Sequence, residues 1–336
     1  MGVGFLMLTG GGLTMKNTTI ADVAAAADVS VTTVSRYLNG NYQKMSAATK
    51  QRIKETIATL HYAPKASARK MRQDHSQLIG VVVGDIANVF SSLLFKGIYD
   101  VLQPAGYDVL LMNANNTATT EHGELTRLAA QQVDGIILQP SAATAAAYAG
   151  LTIPTIIVDR QLPNSPLAQV LSSNFDASYQ LGQHLREQGY RRLITVGRAV
   201  APHTAQTDRL AGLTATGLSV IHLDMTSHGA PWLTQQLRQY QQAPDKPVII
   251  SLMGPLLFEI LASLKAAHLH FPADVGLVSF DDWQWSQYVN DGIYLLQQQP
   301  ALMGQLAATT LLHQLSTTPT TMTQYVPVAP VVKPSL

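Results

Sequence analysis

Residues 19–39 read TIADVAAAADVSVTTVSRYLN, and this stretch decides the architecture of the N-terminal end of the chain. Ile20, Val23, Ala24 and Ala27 recur at helical spacing, as do Val31, Val34 and Leu38, so each run has one apolar face for a shared core. Ala27-Asp28-Val29 forms a tight turn between the runs, and Ser30 opens the second. Two short helices joined so closely make a helix-turn-helix, the shape that lowers its second helix into a DNA major groove. The other face of that helix carries Thr32, Thr33, Ser35 and Arg36. These donors suit phosphates and base edges, and an arginine can bind guanine through two hydrogen bonds.

Working outward, Ser46 caps a third helix expected from Ala47 to about Leu60, and LHYAPKASARKMRQDHSQLIGVVV then leads into a strand. TIADVA, VSVTTVSRYLNG, LHYAPKASARKMR, IGVVVGDIANVF, QQVDGIIL, VDR, ADVGLVSFDD and QQP follow one another between residues 17 and 330. On these eight segments in order, the chain resembles the LacI/GalR family of bacterial transcription regulators. A helix-turn-helix alone would be a weak signal; the ordered set is specific.

The charge distribution agrees. Residues 16 to 74 hold ten Lys or Arg against four acids, or +6, whereas all 336 residues sum to +1. A basic head on an acidic body fits a nucleic-acid partner, although a merely solvated basic face has the same composition. Without cysteine, disulfides and thiolate metal sites are excluded, which fits a reducing compartment. No apolar run approaches the roughly 18 residues of a membrane span, so no membrane partner is expected. Residues 1–15 are read as a tail or a mis-assigned start: Gly11-Gly12 before Met15 is what a purine-rich ribosome-binding site gives when translated, and Met15 is then the expected initiator.

From about Gln77 buried strands alternate with helices. LIGVVVG, DVLLMNA, VDGIILQ, IPTIIVD and VLSSN form one series, and RRLITVG, GLSVIHL, KPVIISL and VGLVSF form a second. Near-continuous Val/Ile/Leu strands between helices predict parallel, doubly wound sheets. The fold class expected is thus an all-α helix-turn-helix head followed by an α/β two-lobed effector domain that resembles periplasmic sugar-binding proteins. The expected divisions are residues 16–63 for the head, 64–76 for a hinge helix and linker, and 77–336 for effector binding and dimerisation. The resemblance implies three crossings between lobes, giving one lobe of about 77–172 with 301–324 and another of about 173–300 with 325–336. Ligands in open α/β sheets bind outside the carboxyl ends of strands, which makes the inter-lobe cleft the expected effector site.

The resemblance also implies roles for single residues. Thr32 and Arg36 match base-reading positions, with Val31 offering an apolar contact. Thr19, Ser30, Thr33, Ser35, Asn39 and Tyr62 match phosphate-holding positions; each Ser or Thr can equally be a local helix cap. Lys65 to Arg72 matches the family's hinge helix, which folds when two protomers dock on DNA. Met71 stands at its minor-groove wedge position, where Leu is usual, and Lys65, Arg69 and Arg72 are placed to neutralise phosphates. Phe90, Ser91, Arg160, His203, Gln206, Asp281 and Gln299 match effector-site positions, with capping or core roles as the alternative; Arg209 also lies near the cleft and can be structural. One departure stands out: Met253-Gly254-Pro255 replaces the Asn-Asp pair usual before a helix of the second lobe. Loss of two polar ligand groups argues against a conventional neutral-sugar site, and Arg160, Arg198 and His203 lean towards a sugar acid or sugar phosphate.

Nothing in the sequence supports catalysis. There is no nucleophile elbow, P-loop or zinc-protease helix, and His268 and His270 have too few companions for a metal site. No cofactor is expected. Taken together, the readings point to a cytoplasmic, nucleoid-associated homodimer, acting as a repressor on a pseudo-palindromic operator DNA and controlled by a small-molecule effector. The family resemblance also admits a phosphocarrier-protein corepressor. The C-terminal YVPVAPVVKPSL carries no heptad helix of the kind that builds tetramers. A binding protein that has lost DNA function is the competing class, and the recognition helix with its hinge sequence discriminates against it.

Overall fold

The computed structural model describes residues 18–38, 40–43, 45–62, 75–142, 144–198, 204–241, 245–281, 285–317 and 321–336. Asn39, His203, Met15 and the hinge residues Lys65, Arg69, Met71 and Arg72 lie outside the described residues. The chain divides into two compact units between Ser76 and Gln77.

The first unit contains α1 (Ile20–Ala26), α2 (Val31–Leu38) and α3 (Ala47–Thr59). A capping box starts α1: the Thr19 hydroxyl accepts from the Asp22 amide, and the Asp22 carboxylate accepts from the Thr19 amide at 2.7 Å. Asp28, at φ 48°, makes the left-handed turn that stops α1 and redirects the chain. Ser30 caps α2, its Oγ accepting from the Thr33 amide at 3.2 Å, and Ser46 caps α3 in the same way. Val23, Ala24, Ala27, Val34, Ile53 and Tyr62 form the core. Val31 is not part of it. As the first residue of α2 it stands 44% exposed, whereas helical spacing alone had placed it on the core face.

The second unit is two parallel sheets of six strands each. The first sheet has the order β11-β5-β4-β3-β1-β2, from β1 (Leu78–Val83), β2 (Asp108–Asn113), β3 (Gly135–Leu138), β4 (Thr155–Val158), β5 (Ala168–Ser172) and β11 (Thr323–Val326). In the second, β6 (Arg192–Gly197), β7 (Ser219–Asp224), β8 (Val248–Ser251), β9 (Gly276–Phe280), β10 (Tyr294–Gln297) and β12 (Ala329–Val331) take the order β12-β10-β9-β8-β6-β7. Only β12 runs antiparallel to its neighbour. Between strands lie α4 (Val89–Leu102), α5 (Ala118–Ala130), α6 (Asn174–Glu187), α7 (Ala205–Thr214), α8 (Ala230–Arg238), α9 (Leu257–Ala266) and α10 (Pro300–Ser316). Strands such as Gly135–Leu138 and Val248–Ser251 are buried along their whole length, as helices on both faces require.

The chain passes between lobes after β5, before α10 and between β11 and β12. The last crossing differs from the expected one: Tyr325 and Val326 pair with β5, and Val326 is fully buried in the first lobe, so that lobe extends to 326 rather than 324. Helix α10 follows a strand of the second lobe yet packs its Met303, Ala307, Ala308 and Leu311 into the first. Gly97 and Gly304 permit this. A Cβ on Gly97 would stand 2.0 Å from the Ala301 carbonyl oxygen, and one on Gly304 would stand 2.2 Å from that of Leu94.

Candidate DNA-reading helix and effector cleft

The outward face of α2 carries Val31, Thr32 and Arg36, all exposed. Thr33 is half-buried, and its hydroxyl lies 2.9 Å from that of Ser30. Thr19 and Ser30 therefore serve as local helix caps, and Thr33 is the residue that Ser30 caps. Two expectations change. Ser35 is buried beside Val34, because residues four and five of this helix turn towards α1 and α3, and Tyr62 is a core residue. Neither side chain lies on an exposed phosphate-facing surface.

In the first lobe the carboxyl ends of the strands gather polar side chains. Gln139, after β3, accepts from the Gly84 amide at 2.7 Å and donates to the Asp159 carboxylate at 2.7 Å. Arg160, after β4, donates to the Pro140 carbonyl at 3.1 Å and to the Asn116 side-chain oxygen. Asn115, Asn116 and Asp159 all sit at positive φ, so sharp turns aim this group of side chains at one place. Phe90 and Ser91 do not join them. Asn88 caps α4, and the first turn after it sends Phe90, Ser91 and Leu94 inward, with Phe90 and Leu94 in the first-lobe core. An aromatic face for a sugar ring is therefore not supplied by Phe90; Val89 is the exposed residue of that turn.

In the second lobe Gln206 clamps its own loop, accepting from the Arg198 amide at 3.0 Å and donating to the Arg198 carbonyl at 2.7 Å. The Arg198 guanidinium is paired with Glu259. Asp281 is buried at φ 52°, accepts from the Gln298 amide at 2.9 Å, and lies 3.7 Å from Arg209. Burial pushes its carboxyl up to about 6, opposed by the Arg209 charge. Arg209 is itself buried, donating to Asn174 at 2.9 Å and to the Leu252 carbonyl at 2.6 Å. Gly254, the departure from the family pattern, has a physical reason here: a Cβ would meet the Asp281 carbonyl oxygen at 2.3 Å.

The crossings are tied to one another. The Gln298 side chain donates to Ser172 Oγ at 2.7 Å, the Ser173 amide to the Val326 carbonyl at 3.0 Å, and Gln299 to the Pro327 carbonyl at 3.0 Å. A cavity of about 230 Å³ opens beside them, lined by Gln161 and Tyr325 from the first lobe and Asn174, Phe175, Asp176 and Asp208 from the second. Asn116, Gln139, Asp159, Asn174 and Gln298 join these groups without any role implied for them by the family resemblance. Most of them follow a strand directly, and that position was the available signal.

Three family descriptions match the chain: bacterial regulatory proteins of the lacI family over residues 19–65, periplasmic binding proteins and sugar-binding domain of the LacI family over 76–245, and a periplasmic binding protein-like domain over 183–336. The HTH-type transcriptional regulator KdgR of Bacillus subtilis is 31% identical over 314 residues, covering 90% of this chain and 92% of that one. The HTH-type transcriptional regulator PtxS of Pseudomonas putida is 32% identical over 311 residues, covering 90% and 91%. A LacI transcriptional regulator from Lactobacillus brevis has a solved structure with TM-score 0.70 at 27% identity, over 75% of this chain and 99% of that one. The lac repressor dimer bound to operator and the anti-inducer ONPF matches in fold, with TM-score 0.82 at 22% identity over 95% and 99%. This chain belongs to the LacI family of bacterial regulatory proteins, as a helix-turn-helix DNA-binding transcriptional regulator rather than an enzyme.

Proposed function

We propose that the protein is a homodimeric repressor of a pseudo-palindromic operator, and that a sugar-class metabolite bound between its lobes controls it. Two-fold protein symmetry and paired half-sites belong together, and α2 supplies one reading helix per protomer. The observation that carries the effector half of this reading is the convergence of polar strand-end groups from both lobes beside three hydrogen-bonded crossings. Amides, hydroxyls and carboxylates suit a hydroxyl-rich ligand. Among the described cleft arginines, Arg198 is paired with Glu259 and Arg209 with Asp281, whereas Arg160 bonds neutral oxygens. Arg160 is thus the group available to a carboxylate or phosphate, which favours a sugar acid or sugar phosphate.

A thermal-shift screen of neutral sugars, sugar acids and sugar phosphates tests this, since a ligand stabilises the state it binds. An acidic sugar should raise the melting temperature of the wild type but not of Arg160→Met; a rise confined to neutral sugars in both chains would refute the acid reading. The same compounds, with or without a phosphocarrier protein, are then added to operator complexes. At the hinge, Met71 is proposed as the minor-groove wedge, so Met71→Ala should bind operator weakly and leave it unbent in energy transfer between labelled DNA ends.

A further inference from the structure

Glu121, in the first turn of α5, is a carboxylate buried in the first lobe. Burial of such a group is costly unless it is hydrogen-bonded, and both of its oxygens are used. Oε2 accepts from the Ser141 amide at 2.5 Å, and Oε1 accepts from the Tyr148 hydroxyl at 2.5 Å. The Tyr148 hydroxyl in turn accepts from the Ala142 amide at 3.1 Å. Neither donor belongs to α5, so this side chain holds the loop that follows β3 rather than its own helix.

The same loop meets Arg160. Nη1 of Arg160 donates to the Pro140 carbonyl at 3.1 Å, and that carbonyl and the Ser141 N–H are the two ends of one peptide group. In a trans peptide they point in opposite directions, so a carboxylate stands at one end of the group and a guanidinium at the other. Both bonds are charge-assisted and polarise the peptide in the same sense, which strengthens each. Nη2 of Arg160 donates to the Asn116 side-chain oxygen, and Asn116 is itself fixed by its amide, which donates to the Gly84 carbonyl at 2.8 Å. Gly84 keeps the floor of this arrangement clear: a Cβ there would stand 2.8 Å from Nη2. Arg198 is held in the opposite manner, by Glu259 directly, which occupies its donors and cancels its charge. At Arg160 the carboxylate stands behind a peptide, and the two bonds made among the described residues go to neutral oxygens.

We propose that Glu121 is a positioning residue for anion binding at Arg160: it orients the Pro140–Ser141 peptide so that the carbonyl pins the guanidinium, and it supplies a counter-charge through that peptide without taking the donors an acid group needs. The role rests on the reading of Arg160 as the acid-binding group. It differs from a plain loop fastening, because Tyr148 and Ala142 fasten the adjoining peptide and do not touch the one that Arg160 uses. It differs also from a plain charge effect. Removing a nearby negative charge favours an anion, whereas releasing the guanidinium from its fixed geometry disfavours one.

Phenylglyoxal modification of the ligand-free full-length chain, followed by peptide mass spectrometry, reads how firmly Arg160 is held, with exposed Arg238 as the internal reference. Glu121→Gln keeps the volume and removes the charge, and should speed modification of Arg160 several-fold relative to Arg238. Tyr148→Phe, which loosens the adjoining peptide, and Glu124→Gln, which removes a charge from the same helix, should leave Arg160 at the wild-type rate. A second measurement needs no change at Glu121: in Arg160→Met the Ser141 amide should exchange hydrogen faster, because its bond to Glu121 has lost the polarising guanidinium. An unchanged Arg160 rate in Glu121→Gln, an equal release of Arg160 in Tyr148→Phe, or unchanged Ser141 exchange in Arg160→Met overturns the proposal. D-gluconate and D-glucose 6-phosphate then serve as acidic probes. The rise in melting temperature that they give the wild type should shrink in Glu121→Gln, and a larger rise, the result of charge removal alone, also overturns it. If neither acid raises the wild-type melting temperature, the acid-ligand reading fails with these probes, while modification and exchange still decide whether Glu121 positions Arg160.

Discussion

Arg36→Ala is the sharpest test of sequence reading. Arg36 lies exposed in the last turn of α2, and its guanidinium makes no hydrogen bond or ion pair among the described residues. The buried residues of that helix are Val34 and Ser35, which the substitution leaves in place, so folding stability should change by no more than about 0.5 kcal/mol. A bidentate arginine–guanine contact carries about 1–3 kcal/mol of discrimination. Two half-sites in a dimer double this to about 2–6 kcal/mol, which at about 1.4 kcal/mol per tenfold is a loss of roughly 30-fold to more than 10⁴-fold on the operator. Random duplex should lose far less. If Arg36 reads a base, the dependence of non-specific binding on salt stays nearly unchanged, whereas loss of a phosphate contact in each protomer would lower its slope by about 0.9 per contact. Competition binding of operator and random DNA at several salt concentrations separates the two. Equal losses on both, with a reduced salt slope, would show that Arg36 holds backbone and does not read sequence.

Thr19→Ala removes the capping box of α1 and should cost the head about 1 kcal/mol, read as faster hydrogen exchange of the α1 amides; DNA affinity falling while exchange is unchanged would instead make Thr19 a phosphate contact. Gly97→Ala drives a Cβ against the Ala301 carbonyl and should lower stability by about 1–3 kcal/mol in denaturant unfolding of the second unit, whereas an unchanged midpoint would mean that α4 and α10 part without strain.

Much of this architecture was legible because it is written in period and order. Val23, Ala24 and Val34 announce their core through helical spacing, and the buried strands through unbroken Val/Ile/Leu runs. What escaped was direction. Phe90 follows a strand, as a ligand-facing aromatic would, but one helical turn rotates it into the core, and no local signal separates that from the outward rotation that Val89 takes. Ser35 and Tyr62 failed for the same reason: a polar or amphipathic residue on a short helix or at its exit reads as surface until the third helix is placed. Asp159 and Gln298 were hidden differently. Their importance depends on partners more than 15 residues away, Gln139 and Ser172, which only the assembled sheets bring within 2.7 Å. The boundary at Val326 was missed by two residues because β11 is a short edge strand with an exposed neighbour, Tyr325, and only its pairing with β5 fixes its end.

The placement of α10 bears on how such a molecule can be controlled. By sequence the helix continues from β10 of the second lobe, yet Gly97 and Gly304 let its backbone press against α4, so it moves as part of the first. What joins it to β10 is the short segment of Gln298 and Gln299, whose side chains donate to Ser172 and to the Pro327 carbonyl beside the other two crossings. Three short tethers cannot absorb a large translation, but they allow small rotations in which Ser172, Ser173 and Pro327 shift against their partners. A ligand changes that equilibrium only by the difference in its affinity for the two arrangements, and a hundredfold difference is worth about 2.7 kcal/mol. A ligand bound to one lobe alone has no such difference. For a metabolite bound in the cleft as proposed, contacts with both sets of strand ends would supply that difference, so replacing Arg160 in one lobe or Asp281 or Arg209 in the other should abolish the response even where binding to the remaining lobe persists.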